Sequence, residues 1–528
     1  MISRRSLLQG SAIAALTTYS GMAWSQGKAP GRVAMAMFGE PPTLQFAINT
    51  AAAVQIISSK IHSGLLIYDG DFLKPKPNLA ESWEVAPDGK TITFRLRKDV
   101  TWHDGKPFTS ADVKFTIENV IKRFHSRGRI TYANLETVET PDDYTAIFRL
   151  KAPAPYIMVA LHAAETPIVP KHIYEVGEVL ANPANNAPIG TGPYKFKEWK
   201  RGAYVLLERN DKYFRKDEPL LEQIVFTNVA DAGARSVALE SGELDIGAPW
   251  PVPLADMQRF ESVKNVAITT EGFTPFGPMS FFEFNLKLPM FQDAKVRKAM
   301  AHCIDRTRIV DTIYCGYARP ATGPINSRMP GGFYTDAVTQ YKYDLKAAEK
   351  LLDEAGVKRG AGGIRFSFTI EPAPWSPHIP QMAEYIAQSL GRVGIKVDVR
   401  LQDSATWIKR AFTTREAQAI VYATFNMMDP TLGVQRQYVT STIGVIFGNG
   451  SGYSNPRIDE LFTKAQNEND PQERKKIFAE IQKIITDDVP NVPLTEERYA
   501  TIYNKRVKNL VGPLLGVYDD FTAVSVSS

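Results

Sequence analysis

Cysteine is nearly absent from this chain of 528 residues, which contains only Cys303 and Cys315. A fold held together by several disulfides is therefore excluded. Two interpretations of the pair stay open. The cysteines could form a disulfide in an oxidising compartment, or they could be two small side chains, one on a helix and one in the turn that follows it.

Histidine is also scarce, and none of the seven histidines forms an H-x-H or H-E-x-x-H pair. Because metal sites need such ligands at close spacing, we expect neither a metal nor another cofactor. Catalytic motifs are missing as well. There is no G-x-S-x-G, and Glu84 stands where a phosphate-binding loop ending in Gly89-Lys90-Thr91 needs its first glycine. We therefore expect a protein that is not an enzyme.

Strong charge and long apolar runs are missing too. The formal net charge is +5, and it falls to about +3 once the two arginines of an N-terminal export signal are removed. So small a charge argues against a nucleic-acid or membrane-surface partner. Beyond the N-terminus we find no apolar run of about 18 residues, so the mature chain is expected to have no membrane-spanning helix.

The first 25 residues are typical of an export signal. Two arginines at 4–5 precede a mildly apolar stretch at 7–19, and small residues at 23–25 predict cleavage after Ser25. The run S-R-R-S-L-L-Q at 3–9 resembles a twin-arginine signal with two departures from the usual pattern, and an ordinary Sec signal is the alternative. Since no cysteine lies near the cleavage site, we expect a periplasmic protein without a lipid anchor.

The spacing of apolar residues predicts a mixed α/β chain without short repeats or floppy linkers. Strands are predicted at 33–38, 91–97, 365–371, 396–401 and 419–424. Helices are predicted at 51–62, from a capping box at 109–112 to 124, at 294–304, from Asp344 to Gly356, and from Pro456 and from Pro471, the last ending at Pro490.

The most specific signal is the block 79–118. It runs through L-A-E-S-W-E-V (79–85), P-D-G-K (87–90), the strand 91–97, W-H-D-G-K-P-F (102–108) and A-D-V-K-F (111–115). This block resembles the signature of the family 5 extracellular solute-binding proteins, the dipeptide, oligopeptide and nickel receptors of ABC importers. We interpret Asp88-Gly89 as a hairpin turn, and Trp83, Trp102 and Phe108 as a local core rather than ligand contacts.

Further landmarks of the family follow along nearly the whole mature chain, namely I-G-T-G-P-Y (189–194), R-N-D-K-Y-F (209–214), S-G-E-L-D-I (241–246), F-N-L (284–286), D-P (429–430) and G-Y-S-N-P (452–456). The resemblance implies an α/β, two-lobed periplasmic binding protein fold (type II, cluster C-like) with an extra domain. Two crossing hinge segments, expected near 270–285 and 489–501, would join the lobes. Domain I would comprise 27–58, 189–278 and 499–528, domain II 59–188, and domain III, the second lobe, 279–498.

Candidate ligand-binding residues lie where strands end in irregular sequence that would face the cleft. They are Phe38, Glu40, Trp250, Trp375, Phe425, Asn426, Asp429 and Arg436. For each aromatic residue the alternative is packing in the core or at the rim of the cleft.

Asn426 departs from the pattern of the peptide receptors. They commonly place an aspartate four residues before this proline, where it pairs with the peptide's α-ammonium group. An amide supplies no charge, and a buried unpaired ammonium is costly. The hypothesis is that the solute lacks a free amine or carries it modified, as in an opine or a capped amino acid. The alternative is that Asp429, or Glu40 of the other lobe, supplies the missing charge.

Together these features predict a monomeric receptor that encloses a small peptide-like or other polar solute and delivers it to ABC permease subunits at the inner membrane. A sensory or chaperone-like periplasmic protein of the same fold is one alternative. A hydrolase or metal-dependent enzyme is another.

Overall fold

The computed structural model describes residues 31–68, 74–511 and 514–527. The predicted export signal and its cleavage site lie outside these residues. Within them, no helix is both long enough and apolar enough to cross a bilayer. In the same ranges, no three His, Cys, Asp or Glu side chains come together as metal ligands would.

The strands are mostly short and recur along the whole described chain. They are β1 Arg32–Met37, β2 Leu66–Ile67, β3 Lys76–Pro77, β4 Ala80–Val85, β5 Thr91–Leu96, β6 Leu135–Asp142, β7 Thr145–Leu150, β8 Tyr194–Lys200, β9 Tyr204–Arg209, β10 Gln223–Asn228, β11 Ile246–Gly247, β12 Val266–Thr269, β13 Pro278–Phe284, β14 Ala318–Pro320, β15 Phe366–Pro372, β16 Ile395–Val399, β17 Ala419–Phe425, β18 Asn491–Glu497, β19 Thr501–Asn504, β20 Val507–Lys508 and β21 Ser525–Val526.

The helices lie between these strands. They are α1 Ala52–Ile61, α2 Ser110–Phe115, α3 Lys122–Phe124, α4 Gly128–Thr131, α5 Tyr156–Val159, α6 Lys171–Tyr174, α7 Ala232–Ser241, α8 Leu254–Glu261, α9 Pro289–Gln292, α10 Ala294–His302, α11 Arg306–Thr312, α12 Leu345–Glu354, α13 His378–Gly391, α14 Ser404–Ile408, α15 Pro430–Gly433, α16 Pro456–Asn467 and α17 Pro471–Asp488. A π-helical segment, Thr116–Ile121, joins α2 to α3.

Three sheets form the framework. The first has seven strands in the order β12-β19-β11-β1-β10-β9-β8, the second has six in the order β14-β18-β13-β17-β15-β16, and the third has four in the order β4-β5-β7-β6. In the first sheet β1 pairs in parallel with both β10 and β11. The carboxyl ends of these three strands therefore meet at one edge, where ligands of open α/β sheets commonly bind.

Strand β13 is the centre of the second sheet. It pairs antiparallel with β17 on one side and β18 on the other, and all seven of its residues are buried. A strand that is buried on both faces needs nearly continuous apolar sequence, which Met279 to Phe284 supply except for Ser280 and Glu283. The second lobe is built around this strand.

The block 79–118 folds as predicted. Strands β4 and β5 pair antiparallel, and Gly89 N–H donates to the Ala86 carbonyl at 2.8 Å to close the turn. Trp102 and Phe108 are each 1 % exposed, and their rings meet edge to face at 6.2 Å. Trp83 is only half-buried. The block is thus a folding unit of the third sheet.

The glycines of I-G-T-G-P-Y allow a close approach of two chain segments. A Cβ on Gly190 would lie 1.8 Å from the Ile61 carbonyl oxygen, and Gly192 N–H donates to that same oxygen at 2.8 Å. Any larger residue at Gly190 would push α1 away from β8. The motif therefore joins the end of α1 to the first sheet.

The predicted helix boundaries are mostly confirmed. The capping box is formed by Thr109 and Asp112, and the Asp344 side chain accepts from the first-turn backbone of α12. Both Pro456 and Pro471 are the first residues of their helices. The disulfide interpretation is wrong, because Cys303 and Cys315 are both free, the first buried and the second exposed.

The mixed α/β fold and its two crossings agree with the predicted fold class. The first crossing follows β12 and leads into β13, and the second follows β18 and leads into β19. Since β13 begins at Pro278 and β18 extends to Glu497, the linking segments, 270–277 and 498–500, are shorter than expected. The exact domain boundaries stay a prediction.

Candidate functional site

Trp250 lies where the lobes and the second crossing meet. Its ring is 4.5 Å from Tyr499 of that crossing, 5.4 Å from His378 and 5.9 Å from Tyr314 of the second lobe (centroid distances). Its backbone N–H donates to the Ala500 carbonyl at 2.9 Å. These four rings are called the hinge aromatic group. They bring the two lobes into contact beside the crossing.

The backbone of Trp250 is in an unusual conformation. Its φ is +46°, in the left-handed region that residues other than glycine rarely adopt. The ring is fixed by a hydrogen bond from Nε1 to the Arg498 carbonyl at 3.3 Å. Because such conformations persist where surrounding contacts hold them, these hydrogen bonds and ring contacts account for the backbone conformation of Trp250.

An apolar cavity of about 240 Å³ lies at the carboxyl end of β1. It is lined by 35–42 and 51–53, and by Ala248 and Pro249, which directly precede Trp250. Phe38 and Glu40 both line it, but none of its lining residues comes from the second lobe, so their place in the cleft stays a prediction. The Glu40 carboxylate already accepts from Gly202 N–H at 2.8 Å, and Arg201 lies 3.6 Å away.

Phe425 is the last residue of β17 and Asn426 follows it, but their side chains have different surroundings. The Phe425 ring lies 6.0 Å from Tyr499 and so extends the hinge aromatic group. Asn426 is fully buried, and its Oδ1 accepts from Asn326 N–H at 2.6 Å while its Nδ2 donates to the Pro324 carbonyl at 3.2 Å. The amide therefore ties a neighbouring loop to the sheet, with both of its polar atoms engaged.

Asp429 is bound within the second lobe. Its two carboxylate oxygens accept from the Arg474 guanidinium at 2.8 and 2.9 Å, and Oδ1 also caps α15 through Thr431 N–H at 2.9 Å. Both charged side chains are at most 6 % exposed. The negative charge of Asp429 is thus neutralised by Arg474.

Trp375 lies apart from the hinge aromatic group. It is 43 % exposed and packs edge to face on Trp407 at 4.7 Å. The residue of this segment that reaches Trp250 is instead His378, three positions later. The role of Trp375 as a ligand contact stays a prediction.

Arg436 is a cation without a carboxylate partner among the described residues. It donates from Nε to the Gly433 carbonyl at 3.3 Å and from Nη2 to Thr424 Oγ1 at 3.1 Å, both neutral acceptors. Burial, and then the nearby Arg127, lower the pKa of Arg436 to about 10. The guanidinium stays charged at neutral pH, and most of its five N–H groups have no acceptor in the described structure.

Arg127 faces Arg436 from the region of the third sheet. It pairs with Glu165 through two hydrogen bonds of 2.8 and 2.7 Å. Burial raises the pKa of Glu165, but the Arg127 guanidinium outweighs that effect and lowers it. The carboxylate is therefore occupied, and the group of two arginines and one glutamate keeps one net positive charge.

The site contains residues that the sequence did not reveal. Tyr314, His378, Tyr499, Arg127 and Glu165 had no motif to mark them. Tyr499 could have been found, since it falls in the crossing expected at 489–501. The others become neighbours only when segments far apart in sequence are folded together.

Glu497, at the end of β18, makes the folding stability depend on pH. Burial raises its pKa to about 7, and its Oε1 accepts from Tyr314 O–H at 2.8 Å. The folded state then binds an extra proton between about pH 4.5, the unfolded value, and pH 7. Stability from this group is present below pH 4.5 and is lost as pH rises to about 7.

We predict that Glu497→Gln removes this contribution. The amide keeps an acceptor for Tyr314 but does not titrate. As the pH rises from 5 to 8, the free energy of unfolding of the variant should therefore increase by about 2–3 kcal/mol relative to that of the parent. Denaturant titrations of both proteins across that range measure the difference. A pH-independent difference between them would contradict the prediction.

Comparisons with known proteins agree with this architecture. Residues 74–444 match the bacterial extracellular solute-binding proteins, family 5, middle region. The glutathione-binding protein GsiB of Escherichia coli (strain K12) is 27 % identical over 474 residues, which is 87 % of each chain.

Two solved structures are similar to this chain in both fold and sequence. The protein AgaA, in complex with agropinic acid, from A. tumefaciens R10 is 27 % identical, with a TM-score of 0.79, covering 94 % of this chain and 99 % of its own. The oligopeptide-binding protein AppA from Bacillus subtilis, in complex with a nonapeptide, is 26 % identical, with the same TM-score and coverage.

Proposed function

The chain belongs to the bacterial extracellular solute-binding proteins of family 5, the receptors of ABC importers, and on this basis we propose that it encloses a small carboxylate whose amine is absent or modified. The observation that carries this proposal is the Arg436 guanidinium, whose recorded hydrogen bonds go to neutral acceptors and which has no carboxylate partner among the described residues. The relatives are binding proteins, named for glutathione or solved with agropinic acid and a peptide.

The carboxylate end of the solute is assigned to Arg436. A planar guanidinium binds a carboxylate through two parallel, charge-assisted hydrogen bonds. One net positive charge in the group formed with Arg127 and Glu165 matches one carboxylate. Because the nearby Arg127 makes the cation of Arg436 costly, an anion would relieve repulsion as well as form hydrogen bonds.

The amine end is assigned by exclusion. An α-ammonium group needs a carboxylate partner when it is removed from water. Asn426 offers no charge, Asp429 is paired with Arg474, and Glu40 accepts from Gly202 and lies beside Arg201. An opine or an N-capped amino acid, which lacks a free primary amine, would not pay this desolvation cost.

The apolar part of the solute is assigned to the walls around Trp250. The ring itself, Phe425 and the 240 Å³ cavity beside Phe38 provide apolar surface close to the hinge. Trp375 is proposed as a rim contact, in keeping with its exposure. We assign the domain boundaries as 27–58, 189–278 and 499–528 for domain I, 59–188 for domain II and 279–498 for domain III.

We also propose that the protein is exported to the periplasm. The signal at 1–25, of the twin-arginine type, would be cleaved after Ser25, and the free monomeric receptor would then deliver its solute to permease subunits. A sensory role of the same fold predicts the same solute but no import. Growth of a deletion strain on the solute as sole carbon source would separate the two roles.

Calorimetry with three matched probe sets tests the solute class. We expect N-acetylated dipeptides with a free carboxylate to bind, and their carboxamides and the unmodified dipeptides to give little heat. The expected preference over each control set is about tenfold or more, the size of one charge-assisted hydrogen bond. Binding of several unmodified dipeptides at micromolar or lower dissociation constants would overturn the proposal.

A further inference from the structure

We propose that the turn between α16 and α17 latches the second lobe onto domain II and thereby keeps the solute-free receptor partly closed. The turn, residues 466–469, has the sequence Q-N-E-N and is called the latch segment. Three of its four side chains are amides, and each of the three contacts a different part of domain II. None of these three contacts involves the crossing segments.

Two hydrogen bonds join the latch segment to domain II. Asn134 Nδ2, just before β6, donates to Asn467 Oδ1 at 3.0 Å. Gln466 Nε2 donates to the hydroxyl of Tyr156, the first residue of α5, at 3.0 Å. The latch segment therefore bonds to two separate elements of domain II at once.

The third contact is with the turn between β4 and β5. A Cβ on Gly89 would clash with Asn469 Nδ2, so the Asn469 side chain lies directly against this turn. The φ of Gly89 is +68°, which also favours glycine. The hairpin of the block 79–118 thus lies at the contact between the lobes.

The two sides of the latch belong to bodies with separate cores. The third sheet shares one hydrophobic core with β1 and α1, and this core includes Val33, Ile57 and Phe148. Helices α16 and α17 pack around a different core, which includes Phe462 and Phe478. Bodies that keep their own cores can move apart about a hinge, and the latch contacts must then break.

Both sides of the latch are held in position by bonds of their own. The Arg474 side chain, which is paired with Asp429, donates from Nε to the Ala465 carbonyl at 2.9 Å and so fixes the end of α16. On the other side, Asn134 Nδ2 also donates to the Pro153 carbonyl at 3.1 Å. Little side-chain freedom is therefore lost when the lobes close, and this favours the contact.

Neutral groups suit a contact that must form and break repeatedly. In the open form the amides and the Tyr156 hydroxyl bond to water, so each hydrogen bond of the latch adds only a small net gain. Two of them shift the ratio of closed to open forms about tenfold or more, whereas a charged pair would cost more to remove from water. The latch therefore favours closure without making it irreversible.

The closing equilibrium is linked to solute affinity. A solute that is enclosed by the closed form binds less tightly when that form is rarer, whatever the chemistry of the solute. Loss of the latch should therefore weaken the binding of all solutes by the same factor and leave their ranking unchanged. The latch rests on the two-lobed fold and not on the solute class, so the two proposals can fail separately.

Double electron–electron resonance of the solute-free protein tests the latch, since it measures the distance between two spin labels. The labels are introduced through Ser82→Cys in β4 and Lys350→Cys in α12, both exposed positions, in a Cys315→Ser background. Cys303 is buried and stays unlabelled. We expect a short-distance population, the closed form, in the parent protein without solute.

Variants of the latch should change this population. Gln466→Ala combined with Asn467→Ala should lower the ratio of short to long distances about tenfold, and Tyr156→Phe, which removes only a hydroxyl, about threefold. Gln472→Ala, a change at an exposed amide of α17 outside the latch segment, is the matched control and should leave the ratio unchanged.

Three results would overturn the latch. They are equal ratios in the parent and the double variant, a parent without a short-distance population, and an equal shift in Gln472→Ala. If the double variant fails to fold, Tyr156→Phe decides, since phenylalanine keeps the shape of the ring and lacks only the acceptor for Gln466.

Discussion

Arg436→Gln should weaken binding of an N-acetylated dipeptide acid by about 100-fold and leave the carboxamide unaffected. Two charge-assisted hydrogen bonds of about 1.5 kcal/mol each correspond to that factor. Arg436→Lys should lose about tenfold, because an ammonium keeps the charge but lacks the planar fork. Titration calorimetry measures both variants.

The same substitution separates binding from folding. Arg436 is half-buried, and its charge is disfavoured first by desolvation and then by the nearby Arg127, so removing that charge relieves both costs. The solute-free Arg436→Gln protein should therefore unfold at a midpoint equal to or above that of the parent. Arg308→Gln, a change at an exposed arginine of α11 in the second lobe, is the matched control and should alter neither binding nor stability. An unchanged affinity of Arg436→Gln for the acid would show that the carboxylate binds elsewhere.

Asp429→Ala should lower the free energy of unfolding by about 3–5 kcal/mol. It removes one partner of a buried ion pair and leaves the Arg474 charge uncompensated. Arg474 also donates to the Ala465 carbonyl at 2.9 Å, so it cannot move out to solvent without breaking the contact between α16 and α17. Chemical denaturation followed by circular dichroism measures the loss.

The double variant shows whether the pair acts as a unit. Asp429→Ala combined with Arg474→Met should be less destabilising than the sum of the single changes, because no charge is left unpaired. Additive losses would indicate that the two residues contribute independently. If Asp429→Ala lost solute affinity and kept its stability, Asp429 would be a solute contact rather than a structural residue.

Local structure was predictable because its causes are local. The cap at Asp344, the capping box at Thr109 and the prolines that start α16 and α17 act within one helical turn. Alternation of apolar residues likewise identified β5. The family signature then supplied the two-lobed arrangement that no local pattern contains.

The site was only partly predictable because its contacts are distant in sequence. Trp250 was expected at the cleft, but its neighbours Tyr314 and His378 come from other segments and show no spacing pattern. The burial of Asn426 could not be foreseen either, since its partners lie 100 residues earlier. Whether a charge is free or paired depends on such contacts, and sequence alone does not contain them.

Trp250 links the shape of the proposed solute site to the contact between the lobes and the second crossing segment. Its ring forms part of the proposed solute wall, while its backbone N–H and its indole N–H donate to carbonyls of the second crossing segment. A substitution there that suits a new solute also shifts the balance between open and closed forms. Adaptation to other nutrients is therefore expected to spare Trp250 and to proceed through residues farther from the pivot, such as Phe38 and Trp375.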